Sequence, residues 1–443
     1  MMIRHRMWAC VLALGSALPT AAAERELGLE EVLQFAEKNA PAIGVAERRV
    51  DVARADVVAA SPWLPADPGF DVGAGGRVGG GQDGADVSIG VSQAFEIFGE
   101  GGLRRDAAER GVDAVRVDVE RARFLVHQAV HSGFLAALVA DAEVTAADAA
   151  VGFAQRLVEV AEARVNAGEA SSLTVRLAKT ALSRAKEQAL TAVEVQTASR
   201  LALGREAGFD DATSIKPRGS LPVPRALPTL DELVALAEAH EPQLATLRAQ
   251  VQAAQATSAL AQREGLPKPT LGLGYSLEGA NPNSSAQTQQ VAGATLALPL
   301  PLFRGNDAER VRSSAQQRVI EAELAGERRQ LTGRIAEART RADAARTRLT
   351  LFADEILPGI DETLQQLEKA FRLGELDLTE VMVGREQVLA ARRDALLAWR
   401  SWFLARAGLE AAIGYDLPDT EPTTTSTTTS TSSSPSPSIT GAP

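Results

Sequence analysis

Residues 29–41 read LEEVLQFAEKNAP, and residues 230–242 read LDELVALAEAHEP. Each stretch opens on leucine and an acid pair, continues with apolar residues at helical spacing, and runs into a proline, Pro41 or Pro242. Downstream of each, the same order recurs: helix, Gly-rich hairpin, very long helix, Gly-marked turn, helix. An internal period has to be found before a fold is assigned, because missing it misassigns the whole chain. The period here is about 200 residues, far above the 20–50 of solenoids, so the chain reads as a duplicated half-molecule.

In the first half, residues 29–60 are expected to form one helix, ended by Pro62, Pro65 and Pro68. A hairpin follows at about 70–98. Phe70 to Val78 alternates apolar with small or polar residues, Gly79 to Gly84 supplies a turn, and Val87, Ile89 and Val91 continue the alternation opposite Ser88, Gly90 and Ser92. No proline occurs from Gly102 to Asn166, and at 1.5 Å per residue that stretch predicts a helix of about 100 Å. Asn166-Ala167-Gly168 marks its stop, and Ser171 or Ser172 caps the next helix, about 172–204. That helix carries a coiled-coil seam at Val175, Ala178, Leu182, Ala185, Ala189, Ala192, Gln196, Ser199 and Leu203. The return helix is half the length of the long one, and the 29–60 helix supplies the missing length. Two short helices stacked end to end are therefore expected beside each long one.

The second half repeats the pattern. A helix over 229–263 is broken by Pro267 and Pro269, and a hairpin follows at about 270–303, with Leu271, Leu273, Tyr275 and Leu277 on one strand and Ala292, Ala294, Leu296 and Leu298 on the other. A long helix over about 306–371 is expected to bend at Pro358, Gly374 marks its stop, and the return helix covers about 377–412. The two repeats, 24–215 and 216–417, form one α+β, mostly helical domain.

Only 4% of the 443 residues are aromatic, which favours long helices packed through small side chains. The formal charge of −11 argues against a nucleic-acid partner. Residues 1–23 read as an export signal: Arg4 and Arg6, an apolar run from Trp8 to Leu18, then Ala21-Ala22-Ala23. Its removal would take away two arginines and no acid, shifting the charge from −11 to −13. The single cysteine, Cys10, lies inside it, so neither a lipid anchor nor a disulfide is expected. No later apolar run reaches the length of a transmembrane helix. Residues 418–443 are rich in Thr, Ser and Pro and are expected to be disordered.

Two hairpins give four strands, which cannot close a barrel, and an open sheet in lipid leaves backbone groups unpaired. Other copies of the chain must complete it. Barrels start at about 8 strands, so two to four copies satisfy the arithmetic.

At this point the chain resembles the TolC-type outer-membrane efflux family over nearly all of 24–417. Leu33, Ala36, Asn39 and Pro41 match its helix opening. Ser92 to Gly99, followed by Arg104-Arg105, and Leu298 to Asn306 match its strand exits. Ala163 to Gly168 and Ala370 to Gly374 match its helix tips. The resemblance implies a homotrimer, with twelve strands in one transmembrane β-barrel continued by a periplasmic α-helical barrel. It also implies a periplasmic adaptor and an inner-membrane pump of the resistance–nodulation–division type as partners, with outer-membrane lipid around the barrel. The strand exits most resemble the heavy-metal (CzcC-like) branch, which would make metal cations the cargo. A type I secretion duct of the same fold, or a periplasmic coiled-coil scaffold, is the alternative.

The resemblance further implies a pore constriction at Glu380, six residues after Gly374, with Asp377 as a nearby candidate; a ring of such acids favours cations. Thr174 is the first-half equivalent of Glu380, and Val383 stands where the family often has a second acid. The tip turns imply adaptor-docking positions at Asn166, Gly168, Ser171, Gly374, Leu376 and Thr379. His127 and His131 share a helix face, but two ligands make a weak metal site, and packing or solvated roles are the expectation. No catalytic motif, metal site or cofactor is expected. The glycines from Gly73 to Gly84 belong to a strand and turn, because the cluster lacks a phosphate loop's ending.

Overall fold

The computed structural model describes residues 24–78, 84–210, 213–222, 224–280, 288–302 and 305–417. The expected leader with Cys10, most of the turn at 79–84, the turn at 281–283, Phe303, Arg304 and the Thr/Ser/Pro tail lie outside the described residues. The first half comprises β1 (Glu24–Leu27), α1 (Leu29–Asn39), α2 (Pro41–Ala60), β2 (Gly69–Arg77), β3 (Gly84–Ala94), α3 (Glu100–Asn166) and α4 (Ser172–Glu206). The second comprises β4 (Ser214–Pro217), α5 (Leu230–His240), α6 (Pro242–Glu264), β5 (Thr270–Ala280), β6 (Gln289–Ala297), α7 (Asp307–Leu351), α8 (Ile360–Leu373) and α9 (Leu378–Ile413).

The single helices expected over 29–60 and 229–263 are each two helices. Ala40 and Glu241 take extended backbone (φ −62°, ψ 126° and φ −62°, ψ 117°) between them. Each precedes a proline, whose ring disfavours helical backbone in the residue before it, while the proline itself is a good first residue for the next helix. The second long helix also departs from expectation. A π turn (Phe352–Ile356) and a 3₁₀ turn (Leu357–Gly359) separate α7 from α8. Pro358 lacks an N–H and its ring excludes the carbonyl four residues back, so the disturbance starts a turn and a half before it. α3, with no internal proline, runs unbroken for 67 residues, about 100 Å.

α2 and α4 pack along α3, and α6 and α9 pack along α7, two shorter helices beside each long path. Every α4 seam position from Val175 to Leu203 is buried or half-buried. The largest core cluster surrounds residues 126–139 of α3, where Val130, Phe134, Leu203, Ile215, Leu233, Leu409 and Ile413 are buried. Each such side chain contributes about 1.5–3 kcal/mol when fully buried. Beside that core, β1 and β4 form a parallel pair, Glu24↔Ser214 to Leu27↔Pro217, too short for alternation to reveal in sequence.

β2, β3, β5 and β6 form one antiparallel sheet in that order, so the two hairpins join through β3 and β5. The register puts Phe70, Val91, Leu273 and Ala294 in one cross-strand row, and Val72, Ile89, Tyr275 and Ala292 in the next. That face is apolar and exposed: Val87, Ile89, Val91, Leu271 and Leu273 all lie open. Ser88, Gly90, Ser92, Gly272 and Gly274 occupy the other face. β2 and β6 are the edges. Where strand meets helix, Glu96 is held by Arg104 and by Lys268 Nζ at 2.9 Å, which ties the exit of the first hairpin to the entrance of the second.

Candidate functional site

The far ends of the two helical hairpins meet in a second, smaller core. Phe153, Leu157 and Ala161 of α3, Ala178 of α4, Phe371 of α8, and Leu378 and Val381 of α9 are buried together. Each turn stops its helix on a left-handed glycine: Gly168 at φ 79° and Gly374 at φ 76°. Side chains strongly disfavour that conformation, which is why glycine stands at both stops. The Glu169 N–H reaches back to the Arg164 carbonyl at 2.8 Å, and the Glu375 N–H to the Ala370 carbonyl at 2.9 Å.

Arg164 joins the two tips. Its guanidinium lies 5.3 Å from the centre of the Phe371 ring, and Nη1 donates to the Phe371 carbonyl at 3.3 Å. A cation at the last turn of α8 also complements that helix's negative end. Eight residues back along α3, Arg156 pairs with Glu368 at 2.7 Å. Arg385 of α9 is buried over the Phe153 ring, and its Nε has no hydrogen-bond partner. Burial lowers its pKa. Sequence reasoning missed both Arg164 and Arg385, because their partners lie on helices far away in the chain.

The candidate constriction residues are brought together, in an arrangement the sequence reading did not anticipate. Asp377 is the N-cap of α9, and its Oδ1 accepts from the Glu380 N–H at 2.8 Å. Glu380 Oε2 accepts in return from the Asp377 N–H at 2.8 Å. This is a reciprocal capping box, which satisfies two of the orphan donors at a helix start. Both side chains are exposed. The first-half turn differs: Ser171 sits at the N-cap but makes no bond to a backbone N–H, and its hydroxyl lies 3.3 Å from that of Thr174. Of the candidate docking positions, Asn166, Gly168, Ser171, Gly374 and Thr379 are exposed, while Leu376 packs partly into the tip core.

His127 and His131 lie far from the tip, against the segment that ends α9. His127 Nε2 is 2.8 Å from Asp416 Oδ2, and Gln128 donates to the other oxygen of that carboxylate. His131 lies beside buried Glu410, which accepts from Arg406 Nε at 2.9 Å and from the Leu417 N–H at 3.0 Å. The hydrogen bond to Asp416 raises the His127 pKa. Desolvation raises that of Glu410. Desolvation works to raise Asp416 as well, but the His127 hydrogen bond and charge leave it lowered overall. Among the described residues, no cluster of three or more His, Cys, Asp or Glu is placed to hold a metal.

The described chain thus has an exposed apolar sheet at one end, paired helical hairpins extending from it, and a small second core at the hairpin tips. The model of the outer membrane efflux protein family matches residues 32–208 and 233–415, the two halves in turn. This chain belongs to the outer membrane efflux protein family. The family is one of transport channels rather than enzymes, and its members reside in the outer membrane with a large periplasmic portion. Among curated relatives, the pyoverdine export outer membrane protein OpmQ of Pseudomonas putida is 25% identical over 431 residues, covering 89% of this chain and 87% of that protein. Among solved structures, the outer membrane protein VceC of Vibrio cholerae superposes with a TM-score of 0.67 at 19% identity, covering 88% of this chain and 96% of that one. The CmeC outer membrane channel of Campylobacter jejuni gives 0.68 at 16% identity, covering 87% and 85%. These channels share the fold of this family member. No described helix is long and apolar enough to cross a membrane.

Proposed function

We propose that the chain is the exit duct of a tripartite efflux system. Three copies close a twelve-stranded barrel in the outer membrane, and their helices continue it as a periplasmic tube. The observation that carries this reading is the four-stranded sheet. Its strands are 9 to 11 residues long, enough to cross a bilayer at a tilt. Its exposed face is apolar, its other face is small and polar, and both edges are free to pair. In a ring of three, β2 pairs with one neighbouring copy and β6 with the other, at the strand count the family resemblance implies.

The exposed turns around Asn166, Gly168 and Ser171, and around Gly374, Leu376 and Thr379, are the proposed docking points for a periplasmic adaptor, which couples the duct to an inner-membrane pump. Glu380, with Asp377 beside it, is the proposed constriction. Three copies would place a ring of carboxylates where the helices turn, which favours cations and can gate the pore. The duct transforms no substrate; the pump selects and energises the cargo. The heavy-metal assignment rests on the strand exits at 92–99 and 298–306 alone. The curated relative is named for pyoverdine export, which favours an organic cargo instead.

Membrane fractionation followed by mild detergent extraction tests the assembly. Recovery from the outer membrane as a detergent-resistant trimer is expected. A soluble periplasmic monomer would overturn the duct and restore the coiled-coil scaffold.

A further inference from the structure

The two connectors that carry the chain from helix to sheet differ in length and in what they expose. In the second half, five residues, 265–269, join α6 to β5, and Leu266 to Pro269 are half-buried. In the first half, eight residues, 61–68, join α2 to β2. Those eight include Trp63, whose side chain is 85% exposed. Leaving a large aromatic side chain in water forgoes the burial energy that Trp, Tyr and Phe normally contribute. The other tryptophans of the described residues, Trp399 and Trp402, are buried on α9.

The connector is held in place. Pro62, Pro65 and Pro68 restrict its backbone, Gln93 Nε2 of β3 donates to the Ala66 carbonyl at 2.9 Å, and Arg105 Nη2 of α3 donates to the Ser61 carbonyl at 3.2 Å. Both ties fix it at the end of the sheet where strands give way to helices. The exposed apolar surface of the sheet does not stop there. Ile97 and Phe98 follow β3, and Leu298, Leu300 and Leu302 follow β6, all exposed. Trp63 therefore stands at the rim of an apolar surface, at the level where a barrel wall would leave the hydrocarbon. An indole there has an apolar body for the acyl chains and an N–H for the headgroups, the arrangement that enriches Trp at membrane–water boundaries.

We propose that Trp63 is a lipid-interface anchor, seating the periplasmic rim of the barrel in the headgroup layer of the inner leaflet. The proposal rests on the outer-membrane duct reading. It assigns the three additional connector residues of the first half a role that the shorter second-half connector does not fill. In a trimer, three such indoles would fix the depth of the barrel in the bilayer.

The test is Trp fluorescence of the full protein in phospholipid vesicles, comparing wild type with Trp63→Phe so that the difference reports Trp63 alone. The expected difference spectrum is blue-shifted relative to indole in water. It loses most of its intensity in lipids brominated near the headgroup and little to aqueous iodide. Quenching by iodide without quenching by brominated lipid would overturn the proposal, and so would quenching by neither, which would place Trp63 between copies of the chain. A Leu273→Trp variant on the exposed sheet face separates this failure from that of the duct. If the Leu273→Trp signal is quenched by deeply brominated lipid while that of Trp63 is not, the anchor alone is wrong. If neither is quenched by brominated lipid, the membrane reading falls and the anchor falls with it.

Discussion

The two halves of the chain finish alike at the equator, the level of the β1–β4 pair and the largest core cluster, and differently at the tip. At the equator, Gly208 (φ 83°) closes the first half against Asn39 and Ala40, at the joint between α1 and α2. Gly414 (φ 68°), 206 residues later, closes the second against His240 and Glu241, at the joint between α5 and α6; a Cβ there would meet the His240 carbonyl at 2.6 Å. An aromatic follows each glycine and packs beside the same joint: Phe209 stacks on Phe35 at 3.7 Å, and Tyr415 sits 5.3 Å from His240. At the tip the equivalence breaks. The first-half turn presents two hydroxyls, Ser171 and Thr174, on a helix that continues from an unbroken α3. The second presents a carboxylate box, Asp377 and Glu380, on a path interrupted by a π turn and a 3₁₀ turn. Duplicated sequence keeps its shared geometry where the return helices end on the largest core, and diverges at the helix tips.

The sharpest break in that comparison is expected at Phe371. It is 1% exposed and supports the Arg164 contact, whereas its first-half equivalent, Val165, is only half-buried. Phe371→Ala is expected to destabilise the tip by about 3–5 kcal/mol, the usual cost of emptying a buried Phe site, and Val165→Ala by much less. Hydrogen exchange of α8 and α9 amides measures both. Equal protection loss from the two variants would mean that the tip core is not centred on the second half.

The capping asymmetry is a smaller effect. Asp377→Ala removes a side-chain cap and is expected to cost about 0.5–2 kcal/mol at the start of α9, while Ser171→Ala, which removes no backbone bond, leaves α4 nearly unchanged. Exchange of the first-turn amides of the two helices gives the comparison directly. Faster exchange at Thr174 in Ser171→Ala would contradict it.

The smallest effect concerns the equator, where Asp416 takes His127. His127 has a raised pKa, so its contribution is full below the unfolded value near 6.5 and is lost as pH rises through the folded value. Asp416 has a lowered pKa, so its contribution is present above the unfolded value near 3.8 and is lost as pH falls through the folded value. Glu410, raised by burial, costs stability once it ionises. His127 and Glu410 act against stability as pH rises, while the Asp416 contribution stays in place above its unfolded value. Thermal stability should therefore decline as pH rises above the unfolded histidine value near 6.5, and His127→Gln should flatten that decline. An unchanged slope would remove the pair from the pH response.

The duplication, the unbroken long helix, both hairpins and both glycine stops were legible because each is a local pattern of spacing, alternation or backbone need. The breaks at Ala40 and Glu241 were legible too, since Pro41 and Pro242 announce them; reading through the prolines merged four helices into two. The Asp377-x-x-Glu380 spacing is itself a capping-box signature, so the local role of the two acids was open to sequence reasoning that looked first at the pore. What no local pattern carries is contact across the chain. Arg164 finds Phe371 207 residues on, and Gln128 finds Asp416 288 residues on. The β1–β4 pairing joins strands too short to announce themselves.

The central claim is that the carboxylate tip of the second half, and not the hydroxyl tip of the first, closes the duct. Single-channel recording in planar bilayers tests it with Glu380→Gln, which keeps a side-chain acceptor for the Asp377 N–H while removing the charge, set against Thr174→Val. Glu380→Gln is expected to change conductance and weaken cation preference, while Thr174→Val changes neither. Unchanged conductance and unchanged cation preference in Glu380→Gln would contradict it.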